Sequence, residues 1–149
     1  MELVVRTLRP EDVEQLAAAF ASWPKPRELF ETYARRLGAA ELDMLVATVD
    51  AQPVGYLIIE LESSYPAFAA AHIPEIADLN VVRDYRQRGV GTALMVEAER
   101  RVAERSDGVG LGVGLYADYG SAQRMYVRRG YLPDGAGVVR HGVPVPQAP

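Results

Sequence analysis

Leu79-Asn-Val-Val-Arg-Asp-Tyr-Arg-Gln-Arg-Gly-Val-Gly-Thr-Ala-Leu94 is the stretch on which the fold turns, because an apolar strand there runs into a basic, glycine-containing turn that opens an amphipathic helix. Such a turn suits phosphate. Gly89 and Gly91 remove side chains where an anion must approach the backbone, the first N–H groups of the helix lack intrahelical partners, and the helix dipole favours negative charge. Arg86 and Arg88 add two guanidinium forks that match phosphate oxygens. The plainer alternative is a surface turn with solvated arginines, against which the glycines and the helix opening weigh.

The type of phosphate ligand is narrowed by what the stretch lacks. A mononucleotide loop needs G-x-x-x-x-G-K-[ST], and the only lysine of the chain is Lys25. A dinucleotide fingerprint needs a third glycine where Leu94 stands. What remains is Arg86-x-x-Gly89-x-Gly91 preceded by Leu79-x-Val81, which resembles the [QR]-x-x-G-x-[GA] acyl-CoA pyrophosphate loop of the GNAT superfamily of N-acyltransferases. Downstream, Ala122-Gln-Arg-Met125-Tyr126-Val-Arg-Arg-Gly130-Tyr131 is similar to the A-x-x-L-Y-x-x-x-G-F block of the same family. Arg6 and Arg9-Pro10-Glu11-Asp12 resemble its first strand and helix, so the likeness covers residues 3 to about 140.

Composition sets the frame. The chain has 149 residues, about half of them hydrophobic, enough for one domain with a single core, expected over 1–140 with a Pro-rich tail over 141–149. Apolar runs such as Tyr56 to Ile59 fall far short of the roughly 18 residues of a membrane span, and Met1 leads into a strand pattern rather than a secretory signal. A cytoplasmic protein is expected. With no cysteine, disulfides, thiolate metal sites and a cysteine acyl-enzyme are excluded. A net charge of −4 argues against general nucleic-acid binding. Arg100, Arg101 and Arg105 read as a solvated helix face, and His72 and His141 lack the spacing of metal ligands, so no metal is expected.

Along the chain, the pattern predicts a strand at Leu3 to Thr7, helices from Asp12 to Ala21 and from Arg27 to Leu37, and a hairpin of Met44–Val49 with Val54–Leu61. Residues 63–74 read as a loop. In the strand from Glu75 to Val82, Ile76 lies on one alternation and Leu79 and Val81 on the other; one extra residue, a β-bulge near Asp78 to Asn80, would bring them to one face. The helix after Gly91 carries a stripe of Val90, Ala93, Leu94, Ala98 and Val102. A strand is expected over Val109 to Tyr116, a helix from Ser121 to Arg129 and a strand from Tyr131 toward Val139. The sum is a mixed, mostly antiparallel α/β sheet flanked by helices. Three prolines after Arg140 stand where the family adds a last strand, so that strand is expected to be missing and the unfilled edge to favour a homodimer.

The resemblance implies direct acetyl transfer from acetyl-CoA to an amine, with a splayed central strand pair admitting the pantetheine arm. It implies that Leu79, Asn80 and Val81 contact that arm and the thioester, with the Val81 N–H as oxyanion donor. It also implies that Arg86, Gln87, Arg88, Gly89, Val90, Gly91 and Thr92 hold the pyrophosphate, and that Tyr126 protonates the departing thiolate. The base is not set by the motifs; Glu75 and Asp78 are the candidates, with Glu60 an outsider. Trp23 and Tyr65-Pro-Ala-Phe68 lie on loops that would flank the acceptor. Tyr119 replaces an Asn that often contacts the cofactor, a role open to Ser121 or Asp118. A catalytically silent acyl-CoA-binding module and an unrelated phosphate-binding α/β protein are the competing readings.

Overall fold

Strand β4, Glu75–Val81, holds the centre of the molecule because it is paired on both edges and packed on both faces. The computed structural model describes residues 1–113, 119–135, 139–140 and 143–144. Strands β1 (Leu3–Thr7), β2 (Leu42–Val49), β3 (Gln52–Glu60), β4 and β5 (Gly110–Leu111) form one sheet in that order, antiparallel except for β4 with β5. The mixed, mostly antiparallel sheet expected from the sequence is therefore present.

The sheet is covered on both sides because β2 and β3 are apolar on both alternations. Leu42, Met44, Val46, Tyr56 and Ile58 pack with Leu16 and Phe20 of helix α1 (Asp12–Ala19) and its C-cap, and with Phe30 and Tyr33 of helix α2 (Arg27–Gly38). Leu45, Ala47, Leu57 and Ile59 pack on the other side against helix α4 (Val90–Ala103) and Tyr126 of helix α5 (Gly120–Arg128). Full burial of each such side chain contributes about 1.5–3 kcal/mol. Helix α4 buries Val90, Leu94, Met95, Ala98 and Val102, so Met95 takes the place that the sequence stripe gave to Ala93.

The β2–β3 hairpin turns through Asp50 and Ala51, both at positive φ, as a two-residue turn requires when it matches the strand twist. The expected bulge in β4 is found: Tyr56 faces Asn80 and Ile58 faces Ala77, so Asp78 and Leu79 together oppose Leu57. The extra residue restores parity, and Ile76, Leu79 and Val81 all pack in the α4 cluster, while Ala77 packs with α1 and α2.

Several expectations need correction. The 63–74 loop contains a short helix, α3 (Pro66–Ala70), started by proline at its first position, where no N–H is needed. Residues 131–135 are not a strand; instead β6 (Val139–Arg140) pairs with β7 (Val143–Pro144). The tail thus holds a strand that its prolines argued against, and a two-residue ribbon leaves outer edges where proline's missing donor costs nothing. Strand β5 is two residues long; its expected continuation over 114–116, like Asp118 and His141, lies outside the described residues. Arg101 is no solvated residue, since its Nη1 donates to Thr7 (2.8 Å) and Asp43 (2.9 Å) and ties α4 to β1 and β2. Among the described residues no helix is long and apolar enough to cross a membrane.

One buried acid anchors the entry to α1. Asp12, 1% exposed, accepts from Arg6 Nη1 (2.7 Å), Arg6 Nη2 (2.9 Å) and the Arg9 N–H (2.7 Å). Burial pushes its carboxyl pKa up, but the Arg6 and Arg9 hydrogen bonds outweigh that and hold it below the ordinary value. Asp12→Ala is expected to cost about 2–4 kcal/mol in urea unfolding at neutral pH. Because the folded-state value is lowered, that contribution is present above the ordinary carboxyl range and lost as pH falls through it, so the gap between wild type and variant should shrink in acid.

Candidate active site

The bulge decides where the backbone of β4 points. Asp78 has φ of 51°, a left-handed conformation that an aspartate tolerates better than most residues. Beyond it, the Val82 N–H donates to the Val54 carbonyl at 2.8 Å. Peptide groups alternate along a strand, so the N–H and C=O of Val81 point to the opposite edge, toward β5. There β4 pairs with β5 only at Glu75–Gly110 and Ile76–Leu111, and the described residues give the Leu79–Val81 edge no strand partner. Among the described residues the pairing of β4 with β5 ends at Ile76 and Leu111.

At the end of β4 a short 3-10 turn, Arg83–Tyr85, leads into the glycine loop. Gln87 has φ of 59° and Gly89 a φ of 83°, which a glycine adopts without steric cost. The first main-chain bond of α4 runs from the Ala93 N–H to the Gly89 carbonyl, and no side chain caps the helix. The N–H groups of Gln87, Arg88, Gly89, Val90, Gly91 and Thr92 therefore have no acceptor among the described residues. Val90 contributes only its amide, since its side chain is in the core. A Cβ on Gly91 would meet Met125 Sδ at 3.9 Å and Val81 Cγ2 at 4.0 Å, ordinary contacts, so the protein's own packing does not demand glycine there. The Thr92 hydroxyl lies 3.8 Å from the Met125 sulfur.

The arginines of the loop divide. Arg88 sits over the Tyr85 ring at 5.5 Å. Arg86, expected at the phosphate, lies 5.0 Å over the Trp23 ring and donates from Nε to the Val81 carbonyl at 3.2 Å. It braces the loop against β4 and the α1–α2 connection. Trp23 in turn meets Phe20 edge-on at 5.4 Å, so it links the two sides of the site rather than standing alone at the acceptor mouth.

Tyr126, on α5, lines a cleft beside β5, as the helical spacing of the second sequence block allows. Its ring packs against Tyr131 at 5.9 Å, while its hydroxyl has no hydrogen-bond partner among the described residues. Burial raises its pKa, so the phenol stays protonated. Tyr131, by contrast, donates to Glu99 at 2.9 Å, and Glu99 also accepts from Arg129, which fastens the end of α5 to α4. The cleft is further lined by Glu75, Gly110 to Val113, Tyr65 and Phe68. Tyr65 donates to Asp134 at 2.5 Å, and Phe68 lies so close over Gly110 that a Cβ there would be 2.3 Å from its ring. Helix α5 starts at Gly120 with no side-chain cap, so Ser121 does not cap it; its hydroxyl is 3.5 Å from Arg124.

The candidate acids occupy different surroundings. Glu75 accepts from the Ser63 hydroxyl and lines the cleft with Tyr126. Glu60 is held by Arg36 Nη1 at 2.9 Å and Nη2 at 2.5 Å. Asp78 points to the α1–α2 side, where Lys25, Tyr33, Tyr56 and Asn80 all donate to it. Sequence reasoning missed Lys25, Tyr33 and Tyr56. A signal was present for Tyr56: a phenol inside a strand buried on both faces needs a partner.

Over residues 10–131 the sequence matches the model of the acetyltransferase (GNAT) family. The chain belongs to the GNAT acetyltransferase family. Acetyl-CoA is the cosubstrate that this membership brings, and the residues present fit it: six unclaimed amides and a glycine whose missing side chain leaves room meet a diphosphate. Curated sequences give no match to this chain. Solved structures share the fold. A ribosomal-protein-alanine N-acetyltransferase from Brucella melitensis biovar Abortus 2308 superposes with TM-score 0.69 at 20% identity, covering 93% of this chain and 98% of that one. An aminoglycoside acetyltransferase, HMB0005, from an uncultured soil metagenomic sample gives 0.69 at 23% identity over 98% and 100%. The aminoglycoside N-acetyltransferase AAC(6')-Iy in complex with CoA gives 0.75 at 14% over 93% of each chain.

Gly91→Leu separates ligand space from protein packing. Thermal stability should hold or rise, since leucine is worth up to about 1 kcal/mol over glycine within a helix. Acetyl-CoA affinity, measured by calorimetry, should fall tenfold or more; unchanged affinity would mean that the diphosphate lies elsewhere.

Proposed function

We propose that this protein is an N-acetyltransferase that moves the acetyl group of acetyl-CoA directly to a primary amine. The observation that carries the reading is that, among the described residues, the amides at the start of α4 and the far edge of β4 are unclaimed while α5 holds a buried tyrosine hydroxyl with no partner. Acetyl-CoA supplies the activated acyl thioester. Residues Gln87 to Thr92 hold its diphosphate through their amides, with Arg86 bracing the loop, and Leu79, Asn80 and Val81 form the wall along which the pantetheine arm lies. The Val81 N–H, directed away from β3, donates to the oxygen on which negative charge develops. Tyr126 gives its proton to the departing sulfur: burial holds its phenol above the ordinary tyrosine value, so it remains loaded at neutrality.

With no cysteine in the chain, direct transfer is the simplest route. The acids divide the remaining work. A carboxylate offers about four acceptor positions. Those of Asp78 are taken by four donors, whereas Glu75 has Ser63 and faces the cleft, so Glu75 is the better proton acceptor for the incoming amine. Asp78 serves recognition instead. The expected cytoplasmic homodimer also stays a proposal; in its favour, β6 and β7 pair with each other and, among the described residues, leave the β5 edge for a second copy to meet.

Tyr126→Phe is the decisive variant. Its fold should be unperturbed, because the hydroxyl has no partner to lose among the described residues. Thiol release from acetyl-CoA in the presence of an amine panel should slow about 100-fold or more, with acetyl-CoA affinity unchanged. Should wild type bind acetyl-CoA yet release no thiol with any amine, a silent acyl-CoA-binding module would be the correct reading.

A further inference from the structure

The lysine of this chain is paired with the bulge residue of β4. Lys25 lies in the α1–α2 connection between Pro24 and Pro26, and its N–H closes a tight turn onto the Trp23 carbonyl at 2.7 Å. Its Nζ stands 2.6 Å from Asp78 Oδ1. The Tyr33 and Tyr56 hydroxyls donate to Asp78 Oδ2 at 2.8 and 3.0 Å, and Asn80 Nδ2 donates to Oδ1 at 2.8 Å. Three uncharged donors on rigid elements thus satisfy most of the carboxylate, and the fourth position is taken by an ammonium on a flexible stem.

That fourth position is reachable. The Lys25 and Asp78 side chains are 21% and 17% exposed, whereas Tyr56 is fully buried. Asp78 is also the bulge residue, directly before Leu79 on the stretch of β4 that has no partner toward β5 among the described residues. A cation at Asp78 therefore stands beside the strand edge that positions the acyl group. A purely structural ion pair fastening the α1–α2 turn would need neither the two phenols nor this place at the bulge.

We propose that Asp78, Tyr33, Tyr56 and Asn80 form a subsite for a primary alkylammonium, and that Lys25 occupies it as an internal stand-in that the acceptor must displace. This rests on the acetyl-transfer reading and narrows its acceptor to amines that arrive as cations. A tethered competitor lowers the apparent affinity of an external ligand by the fraction of time the site is open. A side chain held this close acts at millimolar effective concentration or higher, enough to mask a weakly bound amine about tenfold.

The test is calorimetric titration of n-butylammonium chloride, with n-butanol as neutral control, into wild type, Lys25→Met, Lys25→Gln and Lys25→Arg. Two neutral variants guard against one failing to fold. Both should bind n-butylammonium about tenfold more tightly than wild type, Lys25→Arg should stay near wild type because a cation still fills the site, and n-butanol should not bind. Equal affinity in wild type and the neutral variants, the same gain in Lys25→Arg, equally tight n-butanol, or no binding to any of them would overturn the proposal. Acetyl-CoA titrated into the same four proteins should bind all alike; its failure to bind wild type would sink the acetyl-transfer reading instead, while the ammonium titrations still report on Asp78.

Discussion

A single extra residue in β4 organises this protein. Without the Asp78–Leu79 bulge, a period-two strand would send Ile76 to one face and Leu79 and Val81 to the other, and one apolar set would lie against the wrong helices. With it, all three pack under α4, and among the described residues the ladder toward β5 ends at Ile76. Packing and chemistry thus share one cause. The bulge is held by Asp78 in a left-handed conformation that its four donors secure, at a backbone cost of about 1–3 kcal/mol.

From that point the two faces of the sheet take different tasks. The α4–α5 side carries the amides that suit a diphosphate and the Tyr126 hydroxyl. The α1–α2 side carries a polar cluster within an aromatic shell: Phe20 and Phe30 meet Tyr56 edge-on at 5.2 and 5.3 Å, so its hydroxyl is aimed by packing. Arg86 joins the sides, with its guanidinium on Trp23 and its Nε on the Val81 carbonyl. The two sides are therefore mechanically linked through a stacked cation and one hydrogen bond.

Much of this was legible in the residues. The bulge followed from counting apolar positions, and the glycine loop and its helix followed from local chemistry, because caps, turns and amphipathic periods depend on neighbours a few residues apart. What stayed hidden involved long separations. Lys25 and Asp78 are 53 residues apart and Tyr33 and Asp78 are 45 apart, so no local pattern brings them together. Arg86 shows the same limit from the other direction: its motif position suggested a phosphate contact, yet an aromatic ring far upstream claimed its guanidinium.

The sequence by itself determined the family, the strands β1 to β4 with the helices α1, α2, α4 and α5, the need for a bulge and the amides at the start of α4, since each arises from short-range sterics, periodicity or a compact motif. Only the tertiary structure decided which carboxylate faces the cleft, which is filled by donors, and where the lone lysine rests. Those outcomes depend on which elements the sheet brings side by side, and a side chain's partners are set by that assembly rather than by its neighbours along the chain.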